Sequence, residues 1–182
     1  IVAIDSHTTG VEFLEGYETV VTAVVSDENS LPSEWTVQWF LGTEEICQGT
    51  TPDLQVSCTF RPKLGQTDLT VNVSDHDNAT GTDTLIFTVL PTQPPTVDIT
   101  RPTVDERLYT NYPIPLEGIV SDAEDAATDL LLQWSSDVDG VLAVTPTPDD
   151  SGAIANEVTL SEGAHTLTLT ATDKSEKSAT DT

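Results

Sequence analysis

The residues best suited to chemistry in this sequence are carboxylates, and they recur. Val24-Val25-Ser26-Asp27 is matched by Ile119-Val120-Ser121-Asp122, an offset of 95 from position 27 to position 122. Asp27, Glu28 and Asn29 follow one apolar run; Asp122, Glu124, Asp125 and Asp129 follow its counterpart. A second group follows a later run: Asp75, Asp77 and Asn78 in the first copy, Asp173 and Glu176 in the second. Clustered carboxylates repel one another unless something neutralises them. A hard divalent cation with about six to eight oxygen ligands is the natural neutraliser, which makes calcium the implied cofactor and Asp27, Glu28, Asp75, Asp77, Asp122, Glu124, Asp125 and Asp173 its candidate ligands. The competing reading is plain turn chemistry, because Asp and Asn bond their own backbone in loops.

Other reactive groupings are sparse. His7, His76 and His165 are the three histidines, and His76 sits between Asp75 and Asp77. No HExxH, GxGxxG or GxxxxGK[ST] pattern is present, and no Ser or Cys stands in a recognisable nucleophile elbow. A pair of carboxylates would suit a glycosidase, but these fall in short loops without an evident cleft. Asp137-Val138-Asp139-Gly140 has the opening of an EF-hand loop but not its downstream Glu, so it reads as an Asp-Gly hairpin turn. The reading is therefore not an enzyme. Cys47 and Cys58 are the two cysteines. They form either a disulfide in an oxidising compartment, the reading adopted, or two buried thiols.

The elements that must position the carboxylates are strands. Val21, Ala23 and Val25 alternate with polar residues, as do Leu116, Gly118 and Val120. Leu69, Val71 and Val73 alternate similarly, as do Leu167, Leu169 and Ala171. This period of two, in runs rich in Val and Thr, predicts half-buried strands. Val37-Gln38-Trp39 matches Leu132-Gln133-Trp134 at the offset of 95, and Trp39 and Trp134 are read as core plugs. The later match, Leu69–Asp75 with Leu167–Asp173, has an offset of 98. Strands of this length, duplicated with a Trp on the third, predict two tandem immunoglobulin-like β-sandwiches. Their expected limits are 1–91 and 96–182, joined by a Pro-rich linker at 92–95. Copy one continues after Thr84 with Leu85-Ile86-Phe87-Thr88-Val89, and copy two stops at Thr182, so its last strand is expected to be truncated. The absence of methionine adds the expectation of an excised piece of a longer chain.

Such a sandwich brings the loops after its second and sixth strands to one end, so the two carboxylate groups of each copy converge. Trp35, Tyr109 and Tyr112 are candidates for stacking on sugars if exposed; the match of Tyr17 with Tyr112 argues instead for a fold role, and Trp35 shares the alternation face of Trp39. Asn72-Val73-Ser74 and Asn78-Ala79-Thr80 are formal glycosylation sequons.

Composition narrows the partners. The chain has 31 Asp+Glu against 6 Lys+Arg, a formal net charge of -25. That charge excludes a nucleic-acid footprint and contact with anionic membranes. No apolar run approaches the about 20 residues of a membrane span.

The segments VSDAEDAATDLLLQWSSDVDGVL and SEGAHTLTLTATDKSEKSATDT resemble PKD-like and cadherin-like immunoglobulin-fold repeats of large bacterial surface and secreted proteins. VSDENS, VQWFLGTEEICQG and VNVSDHDNATGTDT resemble a diverged member of the same group. The resemblance implies an extracellular or cell-surface structural or adhesive repeat, a rigid spacer stiffened by calcium at its loop ends. Neighbouring repeats of the same polypeptide, other surface proteins or glycans are the implied partners. The alternative is a carbohydrate-binding or accessory module of a secreted protein. Cadherin-like junctions carry acidic linkers, whereas this linker is uncharged until Asp98. A single site per loop end is therefore the expectation.

Overall fold

The computed structural model describes residues 1–49, 54–104, 106–109 and 111–182. Among the described residues, period-two apolar patterns give strands throughout, and the helical pieces are two single turns of 3-10 helix. The chain divides into two compact units, Ile1–Pro91 and Thr92–Thr182, each an immunoglobulin-like sandwich. Unit 1 contains β1 (Val2–Ile4), β2 (Val11–Leu14), β3 (Thr19–Val25), β4 (Thr36–Leu41), β5 (Glu44–Gly49), β6 (Gln55–Phe60), β7 (Asp68–Ser74) and β8 (Thr80–Leu90). Unit 2 contains β9 (Thr96–Arg101), β10 (Ile114–Ser121), β11 (Leu131–Ser136), β12 (Gly140–Val141), β13 (Ala153–Val158), β14 (Leu167–Thr172) and β15 (Ser178–Asp181).

In unit 1 a three-stranded sheet, ordered β1-β3-β6, faces a five-stranded one, ordered β2-β8-β7-β4-β5. In unit 2 the sheets are β13-β10-β9 and β12-β11-β14-β15. The alternation decides which side chains meet between them. Val21, Ala23 and Val25 from β3 join Trp39, Leu69, Val71 and Val73 in one buried cluster. Leu116 and Val120 from β10 join Trp134, Leu169 and Ala171 in the other. Each large apolar side chain so buried contributes about 1.5–3 kcal/mol, offset by the entropy of ordering the chain. Gly118 stands where unit 1 has Ala23; a Cβ there would come within 2.9 Å of the Asp98 carbonyl oxygen and 3.1 Å of Leu169 Cδ2.

The repeat extends to the turns that lead into β4 and β11. A 3-10 turn precedes β4 at Pro32–Glu34 and β11 at Ala127–Asp129. The next residue is Trp35 in one unit and Leu130 in the other, and both are buried. Trp35 is thus a core residue, and its Nε1–H donates to Ser30 Oγ at 2.7 Å. Tyr17 and Tyr112 part company: Tyr17 is half-buried, whereas Tyr112 is exposed. A shared fold role for the two tyrosines is not what the structure has.

Asp83 and Asp181, also repeat partners, staple the two sheets together. Asp83 on β8 accepts from the Ile4 N–H of β1 at 2.8 Å. Asp181 on β15 accepts from the Ile99 N–H of β9 at 2.7 Å. Each first strand therefore gains a carboxylate partner from the opposite sheet.

Cys47 and Cys58 form a disulfide, with their Cα atoms 5.9 Å apart. Cys47 lies on β5 and Cys58 on β6, edge strands of opposite sheets. The bond is therefore a cross-sheet clamp, although the two cysteines stand only 11 positions apart. In unit 2 the equivalent register holds Leu142 and Asn156: Val21 pairs with Cys58, and Leu116 with Asn156. Trp39 pairs with Cys47, while the Leu142 N–H donates to the Trp134 carbonyl at 3.0 Å.

Candidate functional site

The loops after β3 and β7 meet at one end of unit 1. Asp27 and Asp75 line the same small cavity of about 80 Å³, beside Trp35 and Gly81. Each carboxylate also closes its own turn. Asp27 Oδ1 accepts from the N–H groups of Asn29 at 2.8 Å and Ser30 at 2.9 Å. Asp75 Oδ1 accepts from the N–H groups of Asp77 and Ala79, both at 2.9 Å. Asn78 provides the left-handed residue of that turn, with φ 63, a conformation Asn tolerates well. Asp77 is exposed, with His76 Nε2 3.3 Å away; His76 Nδ1 is also 4.0 Å from Glu34. Glu28 is exposed. Hydrogen bonds, that from the Asn29 N–H foremost, hold the Asp27 carboxyl below its ordinary range.

Unit 2 repeats the turns but neutralises them differently. Asp122 Oδ1 accepts from the N–H groups of Glu124 and Asp125, both at 2.9 Å. Asp122 Oδ2 is buried without a hydrogen-bond partner among the described residues. Asp173 is buried, and its Oδ1 accepts from Ser175 Oγ and the Lys177 N–H, both at 2.8 Å. Asp125 bridges the two loops by accepting from the Lys174 N–H at 3.0 Å. Lys174 Nζ lies 3.4 Å from Asp125 and 2.7 Å from Asp129. The Asp129 hydrogen bond is the main cause of the raised pKa of Lys174. Lys177 Nζ donates to the Thr92 carbonyl at 2.7 Å and hydroxyl at 2.9 Å, and the Gln93 N–H donates to Glu124 at 3.2 Å. The start of unit 2 is thus tied to its loop end.

A calcium ion would require about six to eight oxygens around one point. Asp27, Asp75, Asp122 and Asp173 each commit one oxygen to two donors. Among the described residues no three His, Cys, Asp or Glu side chains come together as a metal cluster. In unit 2 the Lys174 ammonium group lies beside Asp125 and Asp129. In unit 1 the loops 26–35 and 75–79 contain no Lys or Arg, and Asp27 and Asp75 converge.

One grouping escaped sequence reasoning. His165 Nε2 lies 3.0 Å from the Ser161 carbonyl and therefore carries a proton, since a carbonyl only accepts. Ser136 Oγ lies 2.8 Å from Nδ1, and Asp139 lies 3.9 Å from it. The set looks like a nucleophile, a base and an orienting acid. Ser136 is only 5% exposed, however, and its oxygen accepts from the N–H groups of Val138 and Asp139. Its lone pairs are taken up in the turn, and the arrangement pins the β11–β12 hairpin to the start of β14. Asp137 does the same by accepting from the Thr166 N–H at 2.7 Å. The 137–140 segment is that hairpin, with Gly140 at φ 73 and Ser136 paired with it. A Ser and a His 29 positions apart leave no mark in the sequence.

No family model matches the chain, and no curated protein matches it significantly. Among solved structures it is similar to the fibronectin(III)-like modules of Clostridium thermocellum CbhA, at 21% identity and a TM-score of 0.48, over 100% of this chain and 90% of that one. It is also similar to Dpr2 Ig1-Ig2 in complex with DIP-Theta Ig1-Ig3, at 11% identity and a TM-score of 0.42, over 98% of this chain and 95% of that one.

Proposed function

We propose that the chain is a structural repeat module of an extracellular or cell-surface protein, of the PKD-like or cadherin-like kind. It acts as a spacer, with adhesion to surface proteins or glycans as a further role. The observation that carries this reading is the shared use of the loop carboxylates. In both units they close turns, and in unit 2 Asp125 also braces the neighbouring loop through the Lys174 N–H, which stiffens the loop end. The Cys47–Cys58 clamp suits an oxidising compartment.

Calcium belongs to this proposal at unit 1, where Asp27 and Asp75 line one cavity and would supply oxygens. Thermal unfolding with calcium, magnesium or chelator tests it, since an ion bound only by the native state raises stability by mass action. A calcium-specific rise confined to unit 1 and abolished by Asp75→Asn is expected. No shift at millimolar calcium would leave the carboxylates as turn residues and remove the stiffening role.

The spacer reading is tested by single-molecule pulling. Two discrete unfolding events are expected, and unit 1 should release extra length only after reduction of its disulfide. Unfolding without measurable resistance would sink it. The glycan reading rests on Tyr109 and Tyr112, which are 76% and 64% exposed with ring centroids 6.4 Å apart. Trp35, being buried, does not extend them into a row.

A further inference from the structure

The two Asn-X-Ser/Thr sequences of the chain both lie in unit 1, and the fold places them very differently. Asn72-Val73-Ser74 is inside β7. It is held in ladders on both sides: Asn72 pairs with Gln38 of β4 and Thr82 of β8, and Ser74 with Thr36 and Thr80. Between them Val73 is 5% exposed and belongs to the core. Asn78-Ala79-Thr80 lies in the turn from β7 to β8, where only Thr80 has entered a strand. All three of its residues are exposed.

The turn engages the backbone around Asn78 and leaves its side chain out. The Asn78 N–H donates to the Asp75 carbonyl at 3.2 Å, and the Asp75 N–H to the Ala79 carbonyl at 3.0 Å. Asp75 Oδ1 takes the N–H groups of Asp77 and Ala79, both at 2.9 Å. Asn78 supplies the left-handed residue, with φ 63. Among the described residues, the Asn78 carboxamide and the Thr80 hydroxyl enter no hydrogen bond.

We propose that Asn78 is the acceptor of an N-linked glycan and that Asn72 is not. The donor is an oligosaccharide carried on a lipid pyrophosphate. Asn78 Nδ2 forms a bond to the anomeric carbon while the bond from that carbon to the pyrophosphate oxygen breaks. The lipid pyrophosphate leaves with the electron pair, and Nδ2 gives up one proton to a base of the transferase. The enzyme must hold the amide and the hydroxyl of the acceptor together. An exposed turn offers both, whereas a strand paired on both sides offers them only by leaving two ladders. Ala79 and Thr80 line the same small cavity as Asp27 and Asp75, so the glycan adds a neutral, hydrated group to the acidic end of unit 1. The proposal rests on the extracellular reading, because N-linked glycans belong to secreted and surface chains.

The test takes the purified full chain, folded and oxidised, with an oligosaccharyl transferase and its lipid-linked oligosaccharide, and locates the glycan by peptide mass spectrometry. One glycan is expected on Asn78 and none on Asn72. A synthetic peptide of residues 68–82, with no sandwich around it, should accept at both. Asn78→Gly keeps a residue suited to positive φ, and Thr80→Val keeps the strand preference. Each should lose the glycan while still melting cooperatively, and Asn72→Gln should leave it unchanged. A folded chain that stays unmodified, or that takes a glycan at Asn72, overturns the proposal. With the enzyme supplied, this outcome does not depend on where the chain resides. Failure of the extracellular reading would appear instead as free Cys47 and Cys58 thiols on titration of the native protein.

Discussion

At the residue scale, a carboxylate beside several N–H or O–H donors is held ionised by them, and its titration then bears on stability. Asp149 Oδ1 accepts from the Ser151 hydroxyl at 2.6 Å and from the N–H groups of Ser151 and Ala153. These bonds, the hydroxyl first, keep its carboxyl below the ordinary range. The Ser161 hydroxyl and N–H do the same for Asp139, with His165 assisting. A folded-state pKa below the unfolded value contributes stability that is present above the unfolded value and lost as pH falls through the folded one. Asp27, Asp139 and Asp149 are all lowered from a value of 3.8. Acid titration of the melting temperature should therefore show stability falling from about pH 4 downward, where carboxylates begin to protonate. Asp149→Asn should be less stable than the parent at neutral pH, and the gap should close toward pH 2. A gap that stays constant with pH would show that the hydrogen bonds do not depend on ionisation.

At the scale of elements, the same register carries a disulfide in one unit and Leu142 with Asn156 in the other. Cys47 and Cys58 are 11 positions apart and join edge strands that otherwise belong to different sheets. Closing a loop of this size stabilises by about 3 kcal/mol in the chain-entropy account. Reduction, or Cys47→Ser with Cys58→Ser, should lower the stability of unit 1 by that order and leave unit 2 unchanged in chemical denaturation. The paired change Leu142→Cys with Asn156→Cys should form a second clamp and raise unit 2. Failure of the introduced thiols to join under oxidising conditions would show that the two registers are not equivalent. The alternation of Leu69, Val71 and Val73 made these strands legible, because a period of two can satisfy only one face of a sheet. Which sheet each strand joined was not legible. Cys47 and Cys58 look like neighbours in sequence whether or not the chain crosses the sandwich between them.

At the scale of the whole molecule, the net charge of -25 works against compactness through self-repulsion. Screening by monovalent salt should raise the melting temperatures of both units, since the Debye length falls from about 10 Å at 0.1 M to about 3 Å at 1 M. If melting is insensitive to salt while calcium acts at millimolar levels, ion binding at the loops outweighs general screening. If sodium and calcium act alike at equal ionic strength, the carboxylates behave as a diffuse charge. The acidic character itself was plain from composition. Its distribution over turns, lysines and donors was decided by loop conformation.

The sequence by itself determined the all-β class, the duplication, and the core roles of Trp39 and Trp134. It did so because burial and pleating impose a local period that a linear pattern can display. It also marked Asp27, Asp75, Asp122 and Asp173 as recurrent, without deciding whether their oxygens face an ion or their own backbone. Only the tertiary structure decided that one oxygen of each closes a turn, that Lys174 neutralises Asp125 and Asp129, and that the disulfide spans two sheets. Those outcomes depend on which residues distant in sequence come within about 3 Å of one another, the range at which hydrogen bonds act, and no local pattern specifies that.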